Sequence, residues 1–255
     1  MIVPILLLAG QSNMVGCGRI ADLMPRDQVA PRSVRLHTSQ GFAPLHSAAR
    51  FGPEVGLGQA WAKEASTAPL VILKIARDGS NLARDWRPSS DSTSPSNGNA
   101  HAWLYPQLLE AWHVMSKRLQ TEGVQISPAG LGWMQGERDA IFPAMARNYA
   151  AALTHFLQQL RTDLSAPKLP VVIGRISPCE LNPKTGRARH QFADTVREAQ
   201  VEVARRDPCA TWIDTDDLPR FDDLHFTSSG QLELGRRFAA AWFDLIRPRR
   251  PSPAQ

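Results

Sequence analysis

The chain has 255 residues, of which 43% are apolar and 21% charged, with a net charge of +5. That is an ordinary globular composition with room for one large domain or two small ones. No apolar run approaches the ~18 residues of a membrane-spanning helix, and no basic stripe is interleaved with aromatics, which argues against membrane and nucleic-acid partners.

Residues 1–9 read MIVPILLLA and predict a strand buried on both faces. The run lacks a positive flank and a small-residue cleavage site before GQSN, so it does not read as a signal peptide. A cytoplasmic chain and the trimmed form of a secreted or periplasmic one both fit this. At Gly10 the run gives way to Gln11-Ser12-Asn13-Met14. In an open α/β sheet, a serine where a strand ends lies on the rim that binds ligands. Gly and Asn beside it equally suit a plain turn. Segments 33–37 and 42–45 alternate and predict a small hairpin beside the main sheet. Gly52-Pro53-Glu54 opens a helix that runs to about Ala65. A second buried strand over 69–76 ends in the polar turn Arg77-Asp78-Gly79-Ser80-Asn81.

Residues 87–99, RPSSDSTSPSNGN, are the clearest low-complexity loop. They read as a loop near the site rather than a linker, because the elements on either side continue one pattern. A helix follows over 102–120, then a strand over 124–134 ending in Gln135-Gly136-Glu137-Arg138-Asp139. A long helix over 143–160, a strand over 170–176, a helix over 190–206 and a short strand over 209–213 come next. A last helix runs from 227 or 228 to 246, with Ser228 or Ser229 as its cap. The alternation predicts the α/β class: a flavodoxin-like, three-layer α/β/α sandwich with five parallel strands and right-handed crossovers. Residues 1–246 would form one domain, followed by a Pro/Arg-rich tail over 247–255.

In such a sheet the carboxyl ends of the parallel strands share a rim. Four loops there carry groups that suit a serine hydrolase: a nucleophile, a base, an acid that holds the base, and oxyanion donors. Ser12 supplies the hydroxyl. Asp222-Asp223-Leu224-His225 can turn the Asp222 carboxylate back onto Nδ1 of His225 and leave Nε2 for the serine. Taken alone, the same four residues read as a turn before a helix. Gly79 lacks a Cβ, so its N–H can approach a substrate oxygen. Gln135 offers an amide donor at a strand end, while Glu137 and Asp139 read as loop scaffolding. Trp86 and Trp103 flank the polar loop and suit either a sugar platform or packing, and His101 is a candidate substrate contact. The remaining histidines show no metal-ligand spacing, and the odd count of three cysteines, Cys17, Cys179 and Cys209, makes no metal pair or disulfide framework, so no metal or cofactor is expected.

The blocks Gly10-Gln11-Ser12-Asn13-Met14, Ala76-Arg77-Asp78-Gly79-Ser80, Trp133-Met134-Gln135-Gly136-Glu137 and Asp222-x-x-His225 resemble those of the SGNH hydrolases. The closest branch is that of the sialate O-acetylesterase-like carbohydrate acetylesterases, which Gly52-Pro53-Glu54 and Trp86 also fit. The resemblance spans Ser12 to His225 in order. It implies metal-free removal of acetyl esters from sugars, with Ser12 as nucleophile, His225 as base and Asp222 as acid. The oxyanion donors it implies are the Ser12 and Gly79 N–H groups and the Gln135 side chain. Asp78 stands where that pattern commonly has a second glycine. Arg138 replaces a small residue, which makes it a candidate substrate contact. An acetylated sugar or oligosaccharide is the expected partner. The alternatives are a lipase, thioesterase or transacylase of the same superfamily, or a non-catalytic carbohydrate-binding protein on the same fold. Neither the particular sugar nor the oligomeric state is encoded in these motifs.

Overall fold

The computed structural model describes residues 2–38, 40–46, 49–65, 68–88, 103–178 and 188–247. In chain order the elements are β1 (Ile2–Gly10), α1 (Ser12–Val15), β2 (Gly18–Arg19), β3 (Val34–Thr38), β4 (Gly41–Pro44), β5 (Arg50–Phe51) and α2 (Pro53–Ala65). There follow β6 (Leu70–Ala76), α3 (Leu104–Thr121), β7 (Gln125–Met134), α4 (Pro143–Arg147), α5 (Tyr149–Asp163), β8 (Val171–Gly174), α6 (Ala193–Arg206), β9 (Ala210–Ile213) and α7 (Ser228–Ile246).

The apolar first run lies at the centre of the sheet. β1 pairs in parallel with β6 on one side and β7 on the other. Its side chains alternate between the two faces. Ile5, Leu7 and Ala9 enter one hydrophobic cluster with α3, α5 and α6, while Leu6 and Leu8 enter another with α2 and α7. Helices therefore cover both faces, as a parallel sheet requires.

The sheet has seven strands in the order β4-β3-β6-β1-β7-β8-β9. The sequence predicts five, and five of the seven, β6-β1-β7-β8-β9, form the expected flavodoxin-like order. The other two come from the segments expected as a separate hairpin. β3 pairs in parallel with β6, and β4 adds antiparallel at the edge. The alternation in β3 marks a strand but carries no information on its partner. The helix expected over 143–160 is broken at Asn148 into α4 and α5. The α7 cap is Thr227, whose hydroxyl accepts the Gly230 N–H, and not Ser228 or Ser229. Ser228 instead accepts from the Arg19 N–H and donates to Asp22.

β1 is the switch point of this sheet. The chain returns to one side of it through β3 and β6 and to the other through β7, β8 and β9. The crevice beyond the carboxyl ends of the strands at such a point is where α/β sheets bind ligands.

Candidate active site

Gln11 and Ser12 follow β1 directly. The Gln11 N–H donates to the Met134 carbonyl at 2.9 Å, and α1 begins at Ser12. The far end of this short helix is held by Lys74, whose Nζ donates to Val15 O at 2.7 Å and to Glu54 Oε2 at 2.6 Å. Glu54 Oε1 accepts from the Gly52 N–H at 2.9 Å. This ion pair is almost fully buried. Its geometry and extra hydrogen bonds are what such a pair needs to offset desolvation.

The loop before α7 carries Asp222 and His225, the acid and base expected from the sequence. Asp222 Oδ2 lies 2.7 Å from His225 Nδ1, and Asp222 Oδ1 accepts the N–H groups of Leu224 and His225 at 2.8 and 2.6 Å. Partial burial pushes the Asp222 carboxyl up, but the hydrogen bonds from the His225 ring, His225 N–H and Leu224 N–H outweigh it. The net shift is below the ordinary carboxylate value. The ring is further held by Phe221, stacked at 5.8 Å with planes 17° apart.

Ser12, Gly79, Arg138 and His225 line one cavity of about 410 Å³, together with Gln11 and Phe221. Asp222 stands behind His225, on the Nδ1 side. No hydrogen bond joins Ser12 Oγ to His225 Nε2 among the described residues. Catalytic contacts of this kind are often loose before substrate binds. The backbone N–H groups of Ser12 and Gly79 also have no partner among the described residues. Gly79 has φ +64° and open space where a Cβ would stand. The turn therefore needs glycine for its left-handed backbone.

Gln135 is placed elsewhere than expected. It is fully buried, and its Nε2 donates to Gln11 Oε1 at 3.1 Å, Ser80 O at 3.1 Å and Asp139 Oδ2 at 2.6 Å. Every donor of this amide is used inside the protein, so it ties three loops together rather than facing the cavity. Asp139 also accepts from the Leu82 and Ala83 N–H groups, in keeping with a scaffolding role. Trp86 is no sugar platform. It is fully buried, packs edge-on to Trp133 at 5.2 Å and donates from Nε1 to Ser80 Oγ at 3.1 Å. Trp103 lies under the Arg77 guanidinium at 4.4 Å, apart from the cavity. Arg138 lines the cavity with its guanidinium over Phe142 at 5.5 Å. His101, most of the 87–99 loop and residues 248–255 lie outside the described residues.

Three residues of the site had no role assigned from sequence. Gln11 Oε1 accepts from Gln135 Nε2, Gly136 N and Arg138 N. Those donors fix which end of the amide is oxygen and leave Nε2 unpartnered among the described residues. Asn13 is fully buried and reaches the His225 loop. Both belong to GQSNM, so the motif marked them without showing what they touch. Phe221, which gave no sequence signal, is the exposed aromatic at the cavity mouth. Among the described residues, no cluster of three or more His, Cys, Asp or Glu side chains could hold a metal, and no helix is long and apolar enough to cross a membrane.

A family model described as carbohydrate esterase, sialic acid-specific acetylesterase (SASA) matches residues 3–244. The probable carbohydrate esterase At4g34215 of Arabidopsis thaliana is 24% identical over 263 residues, covering 93% of this chain and 89% of the relative. Its crystal structure superposes with a TM-score of 0.75 at 21% identity, covering 96% of this chain and 99% of that one. XAC1771, a carbohydrate acetylesterase from Xanthomonas citri, gives a TM-score of 0.66 at 18% identity over 93% of this chain and 55% of that one. Axe2, an acetylxylan esterase from Geobacillus stearothermophilus, gives 0.53 at 13% identity over 97% of each chain. At these identities the superpositions establish a shared fold.

Proposed function

The chain belongs to the SASA family of carbohydrate esterases, and from that premise we propose a serine esterase that removes O-acetyl groups from sugars through an acyl-enzyme. Ser12 Oγ attacks the acetyl carbonyl while His225 Nε2 takes its proton. Asp222 on Nδ1 fixes the tautomer and stabilises the imidazolium that forms. The oxyanion is held by the Ser12 and Gly79 N–H groups, with the free Gln11 amide in the place expected for Gln135. The sugar hydroxyl leaves with the proton from His225. Water, deprotonated by the same imidazole, then attacks the acetyl-serine, and acetate and free serine result. Arg138 and Phe221 border the cavity as candidate contacts to the sugar.

The observation that carries this reading is the shared cavity. Ser12 from the first strand end and a carboxylate-bound imidazole more than two hundred residues later line the same space. The test is hydrolysis of p-nitrophenyl acetate and acetylated xylose by the parent protein and Ser12→Ala, with fluorophosphonate labelling of both. Ser12→Ala is expected to lose about 10⁴-fold or more in kcat and to escape labelling. Equal rates in the two proteins would remove Ser12 from the chemistry.

A further inference from the structure

Asp222 and His225 are bound to each other, but all of the Asp222 bonds are local. Among the described residues its carboxylate reaches only Leu224 and His225 of its own loop. Those bonds set the rotation of the imidazole within the loop and cannot set the distance from the loop to Ser12. Among the described residues, every hydrogen bond that reaches residues 222–226 from outside the 219–227 loop comes from one side chain, that of Asn13.

Asn13 Nδ2 donates to Leu224 O at 2.9 Å, and Asn13 Oδ1 accepts the Phe226 N–H at 3.2 Å. The amide thus holds the peptide groups on both sides of His225, 211 and 213 residues further along the chain. It is fully buried and is itself held in place. Nδ2 also donates to Glu137 Oε1 at 3.3 Å, and Oδ1 accepts from Gln231 Nε2 at 3.5 Å. Ser12 is its chain neighbour. The nucleophile and the clamp on the base therefore move as one unit on α1, whose other end is held by Lys74.

We propose that Asn13 is a positioning residue that fixes His225 against Ser12. This rests on the Ser12–His225–Asp222 reading above. Asp222 orients the ring, and Asn13 places it. Loss of the clamp frees the loop to drift while the Asp222–His225 bond persists. A displacement of about 1 Å between reacting groups costs on the order of 10²-fold in rate.

The experiment compares Asn13→Ala, Asn13→Asp, Asp222→Asn and Ser12→Ala in the full chain with p-nitrophenyl acetate, each rate being normalised to folded protein. Asn13→Ala is expected to lose about 10²-fold in kcat with little change in KM, and to keep the low-field NMR resonance of the imidazole Nδ1 proton. Asp222→Asn should lose that resonance. Asn13→Asp keeps the acceptor for Phe226 but turns a carboxylate oxygen onto the Leu224 carbonyl and Glu137 Oε1, so it should lose at least as much kcat as Asn13→Ala. Unchanged kcat in Asn13→Ala, alongside an inactive Ser12→Ala, would overturn the positioning role alone. Full activity in Ser12→Ala would instead overturn the triad on which it rests. Failure of both Asn13 variants to fold would make Asn13 a residue of the fold and would likewise reject the assignment.

Discussion

Two carboxyl groups stand near the His225 imidazole, and their surroundings drive them in opposite directions. Asp222 is partly open to solvent and accepts three hydrogen bonds, and lies below its ordinary value despite some burial. Glu137 is wholly buried, and burial pushes it up against the opposing hydrogen bonds from its own backbone and Asn13 and the pull of His225. Among the described residues its Oε2 has no partner, which suits a neutral carboxyl rather than a charged one. The consequences for stability have opposite signs. Asp222 contributes stability above its unfolded value near 3.8, which is lost as pH falls through the folded one. Burial raises Glu137 above the 4.5 of the unfolded chain, so the fold loses stability as pH rises from about that value through the raised folded one. Melting temperatures of the parent and Glu137→Gln should therefore diverge in favour of the variant as pH rises above 4.5. A constant difference across that range would show that Glu137 is ionised in the folded protein.

At the scale of elements, the site depends on how closely α2 and α7 approach under the sheet. α2 carries Glu54, the partner of Lys74, and α7 follows the loop that carries His225. A Cβ on Gly56 would stand 1.9 Å from the Leu232 carbonyl, a backbone atom that no side-chain adjustment can move. Gly56→Ala should force the helices apart and cost about 1–3 kcal/mol in denaturant unfolding, with lower activity in the folded fraction because α7 shifts. An unchanged midpoint would show that the helices are free to separate. Sequence patterns place these helices well because burial of one face repeats with the helical period. They fail where a boundary depends on a neighbour. β8 stops at Gly174, and beyond it the Ile176 N–H donates to the side chain of Gln200 in α6 rather than to another strand.

Across the whole molecule, stability should grade from the centre of the sheet to its β4 edge. β1 is paired on both sides and covered on both faces, whereas β4 is paired on one side and leaves its residues partly exposed. Hydrogen exchange should be slowest at Leu7 and Leu8 and faster along β3 and β4. Equal protection in the two regions would mean that the edge pair opens only with the whole domain. The same arrangement explains the position of the site. The central strand ends at Gly10, so Ser12 directly follows the strand that is paired on both sides.

By itself the sequence determined the class of the fold, the order of its central strands and the stretches that meet on the rim. Buried strands, amphipathic helices and polar turns are written in local composition. It also allowed the Asp222–His225 contact, because a spacing of three residues can close a turn without help from distant parts of the chain. Only the tertiary structure decided which partners distant groups take. Gln135 and Trp86 face inward, Gln11 faces the cavity, the hairpin joins the sheet, and Asn13 clamps a loop from the other end of the chain. In each case the deciding factor is the nearest donor, acceptor or packing surface in space, and for these residues it lies on another element.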